Sequence, residues 1–133
     1  GPLRAQADAA GVKMVFLLAP TSTAERRRTA AEVASGFLYF VSVAGVTGAR
    51  SALPPDLAAQ VEAVRAVAGV PVVVGFGIST AEQVRLVCTE ADGAIIGSAL
   101  VRRMMEAQDT GGGSDAIVKT AVAAVREWMT GLV

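Results

Sequence analysis

The chain contains no histidine, a single cysteine and only 5% aromatic residues over 133 positions. Without histidine, a Ser/His/Asp triad and the usual zinc ligand sets are both excluded. One cysteine, Cys88, allows no internal disulfide, and it reads as a small buried hydrophobe. An excess charge of either sign is missing as well, because 12 basic and 12 acidic residues cancel. With no basic block and few aromatics there is no electrostatic footprint for DNA or RNA, so no nucleic-acid partner is expected. Long apolar runs are also absent. The stretch 12–19 is too short to span a bilayer and stops at Pro20, and no signal-peptide pattern precedes it. These absences point away from a membrane and towards the cytoplasm. Gly1-Pro2 fits a tag remnant or native sequence equally.

With 53% apolar and 18% charged residues, the chain has the composition to bury a real core in one domain. Strand-like and helix-like segments alternate along it. Residues 3–10 are alanine-rich and helical up to Gly11, and 12–18 read as a buried strand. Ser22 and Glu25 have capping-box spacing for a helix over 23–34, closed by Gly36. A second strand over 37–43 runs into a glycine-containing loop, 44–54. Leu57, Val61, Val64 and Ala68 recur at helical spacing, which predicts an amphipathic helix over 56–68. A third strand covers 71–75. Ser79 and Glu82 repeat the capping-box spacing, and Val84, Val87 and Cys88 give the next helix its apolar face. A fourth strand at 93–97, a short helix at 99–105, the linker Gly111-Gly112-Gly113-Ser114 and a final helix over 114–130 complete the pattern. Strands that are apolar throughout, alternating with helices, indicate an α/β fold with a parallel sheet covered by helices. Four such strands fit either a small open sheet or one half of an eight-stranded βα barrel of roughly 250 residues.

Two strand ends open onto glycine turns: Gly75-Phe76-Gly77-Ile78-Ser79-Thr80 after the apolar run at 70–74, and Gly97-Ser98 after Ala94-Ile95-Ile96. Glycine lets the backbone approach a ligand, and the N–H groups at the start of a following helix favour an anion. A phosphate ester is the first ligand to consider. An isolated Gly-x-Gly needs no ligand, since it also serves a tight strand-to-helix turn.

A family resemblance joins these pieces. Phe16-Leu17-Leu18-Ala19-Pro20-Thr21-Ser22-Thr23, Gly36-Phe37-Leu38-Tyr39 with Ser42, Gly45-Val46-Thr47-Gly48, Gly75-Phe76-Gly77-Ile78-Ser79 and Ala91-Asp92-Gly93-Ala94 running into Gly97-Ser98-Ala99 together resemble the tryptophan synthase alpha subunit. The Gly-Val-Thr-Gly loop, in order with the rest, favours this family over indole-3-glycerol phosphate synthase and phosphoribosylanthranilate isomerase. The resemblance implies the C-terminal half of a TIM (βα)8 barrel, as a single unit over 1–133. It implies a lyase that cleaves indole-3-glycerol phosphate to indole and glyceraldehyde 3-phosphate in tryptophan biosynthesis, and that passes indole to a beta subunit. No cofactor is expected in this chain, pyridoxal phosphate belonging to the beta partner.

Carried over by resemblance, Gly77, Gly97 and Ser98, with Gly48 close by, match the positions that hold the substrate phosphate. Tyr39, Phe76 and Ile95 match the indole pocket, and Thr47 matches a threonine of the loop that closes over the substrate. The family's catalytic glutamate and aspartate match no residue here, so the chain alone is expected to be inactive. Glu25, Glu32, Glu62, Glu82 and Glu106 all fall on helix surfaces or caps. Read without the family, Tyr39 fits strand packing, Asp92 a turn, Trp128 helix packing, and Glu25-Arg26-Arg27-Arg28 a solvated helix face. A half barrel also leaves two sheet edges and an inner face without partners, so the missing N-terminal half or a second copy of this chain is expected to cover them. Two alternatives stand beside this reading: a non-catalytic half barrel that self-associates, or part of another phosphate-binding barrel enzyme such as indole-3-glycerol phosphate synthase.

Overall fold

The computed structural model describes residues 2–42, 54–75, 77–108 and 114–131. The expected closing loop, 44–54, lies outside them except for Pro54, as do Phe76 and the linker glycines 111–113. Six helices and four strands follow in the order α1 (Pro2–Ala9), β1 (Phe16–Leu18), α2 (Ala24–Val33), β2 (Leu38–Val41), α3 (Leu57–Arg65), β3 (Val72–Gly75), α4 (Ala81–Glu90), β4 (Gly93–Ile95), α5 (Ser98–Gln108) and α6 (Ser114–Thr130). The strands form one parallel sheet in sequential order, β1-β2-β3-β4. Among the described residues β1 and β4 are therefore its edges.

Register assigns the two faces. Phe16, Leu38 and Val72 align across the first rungs and Leu18, Phe40, Val74 and Ala94 across later ones. Alternation along each strand sends these to one face. There they meet Ala30 of α2, Leu57, Val61 and Val64 of α3, Val87 of α4, and Ile78, forming the core. Phe40, Leu38, Val61 and Val74 have no solvent exposure at all. The opposite face carries Leu17, Tyr39, Val41, Val73 and Ile95, none of which belongs to the core; Leu17 is 57% exposed.

Several boundaries differ from expectation, each for a local reason. The first strand starts at Phe16, not at residue 12, because Met14 is engaged by the α2–β2 connection. Its N–H donates to Ser35 Oγ (3.0 Å) and its carbonyl accepts from Ser35 and Gly36 (3.1 and 3.0 Å). The cap of α2 is Thr23, not Ser22. Ser22 Oγ is spent on the Ala19 N–H (3.0 Å), while Thr23 Oγ1 accepts from Arg26 (3.2 Å). The third helix ends at Arg65, and its last turn tightens through Val67 and Ala68 N–H bonds to Val64 and Arg65 carbonyls. The fourth strand stops at Ile95, and α5 is longer than the predicted 99–105. Cys88 is exposed rather than buried: the inward stripe of α4 runs through Gln83 and Val87, and Cys88 lies one step off it. Among the described residues no helix is long and apolar enough to cross a membrane.

Asp92 is the turn former its position implied, and it also ties two strands together. Its N–H donates to the Val72 carbonyl (2.9 Å), and its Oδ2 accepts from the Val72 N–H (2.8 Å). Arg65 pairs with it at 3.2 Å, but both side chains are substantially exposed, so that ion pair contributes little. The buried amide should dominate. Asp92→Ala should lower unfolding stability by about 1–3 kcal/mol, and Arg65→Met by less than about 1 kcal/mol, in urea titrations followed by circular dichroism. Equal losses would show that the ion pair, not the Val72 amide, is the stabilising contact.

Candidate functional site

In parallel βα architectures, ligands gather where strands end and the following loops begin. At this end of the sheet β3 and β4 are neighbours, with Gly75 opposite Ile95. Gly77 and Gly97 each lie two residues further on, so the register brings both glycine turns out at the same level of the sheet. Both glycines and Ser98 are exposed. Gly77 has φ +79°, a conformation side-chain-bearing residues rarely adopt. The Gly97 carbonyl accepts from Val101 (3.1 Å), which makes Gly97 the residue capping α5, with Ser98 the first residue of the helix. A glycine cap offers no side-chain acceptor, so the first-turn N–H groups of α5 receive none from that position.

The turn after β3 is held at both ends. Ser42, buried at the end of β2, sends both its N–H (3.0 Å) and its hydroxyl (3.2 Å) to the Gly75 carbonyl. Beyond Gly77, Ile78 is buried in the core. The helix that follows is capped by Thr80 and Gln83, one residue later than the Ser79/Glu82 spacing predicted. Thr80 Oγ1 accepts from the Gln83 N–H (3.2 Å), and Gln83 Oε1 accepts from the N–H groups of Ser79 (2.8 Å) and Thr80 (3.2 Å). Position 83 faces inwards and position 82 outwards, which decides between two overlapping boxes. Sequence reasoning passed over Gln83; the signal was there in the Thr-x-x-Gln spacing.

Tyr39 and Ile95 share the half-covered face on either side of Gly75. A Cβ built on Gly75 would stand 2.7 Å from Tyr39 Cζ and closer still to Cε2 and the hydroxyl oxygen. The Tyr39 ring therefore lies directly over the Gly75 backbone, which explains a strand glycine that its φ does not require. Phe76, the third residue of the expected indole pocket, lies outside the described residues, as do Gly48 and Thr47. An open cleft of about 370 Å³ at the ends of β1 and β2 is lined by Leu17, Leu18, Ala19, Thr21, Ser22, Arg26 and Val41. A second cleft, about 500 Å³, lies at the opposite end of the sheet, bordered by Arg65 and Asp92, which already bond each other. Its position and its satisfied charges mark it as structural. Among the described residues, no group of three His, Cys, Asp or Glu side chains is placed to hold a metal.

A family model of the tryptophan synthase alpha chain matches residues 1–128. The chain belongs to the tryptophan synthase alpha chain family. Tryptophan synthase alpha chains from Citrifermentans bemidjiense (53% identical over 100 residues) and Geotalea uraniireducens (43% over 127 residues) are among its relatives, covering 75% and 92% of this chain. It spans only 38% and 48% of those two proteins. The tryptophan synthase alpha-subunit of Pyrococcus furiosus superposes with a TM-score of 0.76 at 28% identity, over 98% of this chain and 49% of that one. A tryptophan synthase complex from the same organism gives 0.75 at 26%, with 98% and 48% coverage. The fold class is thus the expected one, four βα units of a (βα)8 barrel, and the open-sheet alternative is set aside. The other phosphate-binding barrel families fall away with it.

Tyr39 and Gly75 should behave as one unit. Gly75→Ala should destabilise by about 1–3 kcal/mol through overpacking, and in a Tyr39→Ala background most of that penalty should vanish, a coupling of about 1 kcal/mol or more. Urea unfolding of the four proteins measures it; additive losses would mean that the ring does not rest on Gly75.

Proposed function

We propose that this chain is the substrate-phosphate-binding half of a cytoplasmic tryptophan synthase alpha chain, whose whole barrel cleaves indole-3-glycerol phosphate to indole and glyceraldehyde 3-phosphate. The observation that carries the reading is the alignment of Gly75 with Ile95, which brings the turns at Gly77 and Gly97 out side by side, one at a positive φ and one at the start of α5. Backbone N–H groups from Gly77, Gly97 and Ser98 would hold the phosphate, with Gly48 beside them, and the α5 dipole would favour its charge. Tyr39, Ile95 and Phe76 would wall the indole ring, and Thr47 would sit on a loop that closes and excludes water.

The bond cleavage needs a carboxylic acid to protonate indole C3 and a carboxylate to polarise the ring nitrogen. Neither is assigned in this chain. In this reading both come from the preceding half of the barrel, which would cover Leu17, Tyr39, Val41 and Val73 and pair with the edges at β1 and β4. The steps are proton transfers, so no cofactor is assigned to this half. A beta subunit would receive the indole.

A second reading has one observation in its favour. The half-covered face, with Leu17 at 57% exposure, also suits a second copy of this chain in a non-catalytic assembly. Indole release separates the two. These 133 residues alone should release none from indole-3-glycerol phosphate; mixed with the separately expressed first half of a closely related alpha subunit, they should turn it over. A co-migrating mixture without turnover would favour the non-catalytic assembly, and turnover by the purified chain alone would refute the division of labour.

A further inference from the structure

We propose that Gln83 is a positioning residue for the phosphate site, holding the turn around Gly77 in its binding geometry; this rests on the phosphate reading of the preceding subsection. Three donors converge on one atom of this largely buried side chain: the N–H groups of Ser79 (2.8 Å) and Thr80 (3.2 Å) and the Ser79 hydroxyl (3.3 Å) all reach Oε1. That convergence assigns the oxygen end of the amide, since an NH2 group there would meet donors with donors.

The consequence concerns the turn more than the helix. Gly77 stands in a left-handed conformation that the chain does not adopt by default, between a Gly75 carbonyl fixed by Ser42 and the segment Ile78 to Thr80. Ile78 anchors that segment by burial, and Gln83 anchors its backbone. Release of Oε1 would free the amides of Ser79 and Thr80 just beyond Gly77 and Ile78, and so loosen the backbone that holds Gly77 in its conformation. The Gln83 bonds also occupy the amides of Ser79 and Thr80 from within, so these two amides ahead of α4 are spent on the protein, and in this proposal the exposed Gly77 supplies the turn's donor to the phosphate.

The capping box supplies its own control, because its two halves are separable. Thr80 Oγ1 accepts from the Gln83 N–H inside the helix, whereas Gln83 Oε1 acts on the turn. A purely structural cap would make Thr80→Ala and Gln83→Met equivalent. The test is titration of the chain with inorganic phosphate, followed by backbone amide chemical shifts of Gly77, Gly97 and Ser98, with folding checked by circular dichroism. Thr80→Ala should keep the phosphate affinity within about twofold, and Gln83→Met should weaken it about fivefold or more, the effect of one lost hydrogen bond. Amide exchange at Ser79 and Thr80 should quicken in the Gln83 variant alone. If Gln83→Met fails to fold, Gln83→Asn, one methylene too short to reach both amides, replaces it with the same expectation. Equal affinities for the parent chain and the Gln83 variant would overturn the positioning role and leave the phosphate site intact. Absence of phosphate-induced shifts in the parent chain would overturn both.

Discussion

The ladder from β2 through β3 to β4 must be in register to the residue, because side chains alternate faces and a slip of one would exchange the core with the site. With Phe40 beside Val74 and Tyr39 beside Val73, every second side chain enters the helix-covered core and the others line the opposite face. The Asp92 carboxylate helps hold this register at one end of the sheet, and Ser42 on the Gly75 carbonyl holds it at the other. Both contacts involve β3, which sits between β2 and β4 and carries the Gly77 turn. Stability and site geometry therefore draw on the same strand.

The two faces of the sheet differ in kind. One is a complete apolar layer of valine, leucine and phenylalanine against α2, α3 and α4. The other mixes large side chains with glycine: Tyr39 and Ile95 next to Gly75, Val73 next to Gly93. A face built for an ordinary core would not place a glycine beneath a tyrosine ring, because the missing side chain forfeits burial and costs backbone entropy. The space is instead filled by the hydroxyl end of the Tyr39 ring, which occupies the place a side chain at position 75 would take.

Alternation of apolar runs with amphipathic helical spacing was enough to read an α/β fold with a parallel sheet, but only the family resemblance chose a barrel half over an open sheet. Leu57, Val61 and Val64 turned inwards as their spacing required. The two misplaced helix caps share one cause: polar side chains near a helix start have several backbone partners within reach, and only packing selects among them. Ser22 is equally able to cap α2 or to close the turn at Ala19, and the turn won. Ser79/Glu82 and Thr80/Gln83 satisfy the same pattern, and inward orientation chose the second. Cys88 was misread because an apolar residue one position past a buried valine looks like part of the stripe in sequence but lies about 100° around the helix from it. The positions of Gly77, Gly97 and Ser98 at strand ends were legible; their common level was not, since register is a property of two strands and not of either alone.

The two helix starts that flank the glycine turns are finished in opposite ways. The amides ahead of α4 are taken up by Gln83 Oε1, and the first turn of α4 by Thr80. The start of α5 has a glycine in the capping position, which forgoes the stabilisation of about 1 kcal/mol that a serine or aspartate would bring there. An aspartate at that position would also set a fixed negative charge at the positive end of the helix dipole. Such local stability is readily gained by substitution, so a glycine in this position keeps the helix start free of a side chain at a cost in stability. The asymmetry is physical: the turn ahead of α4 is stiffened from within by a side chain of its own helix, whereas the turn ahead of α5 gets no such bond from its capping glycine.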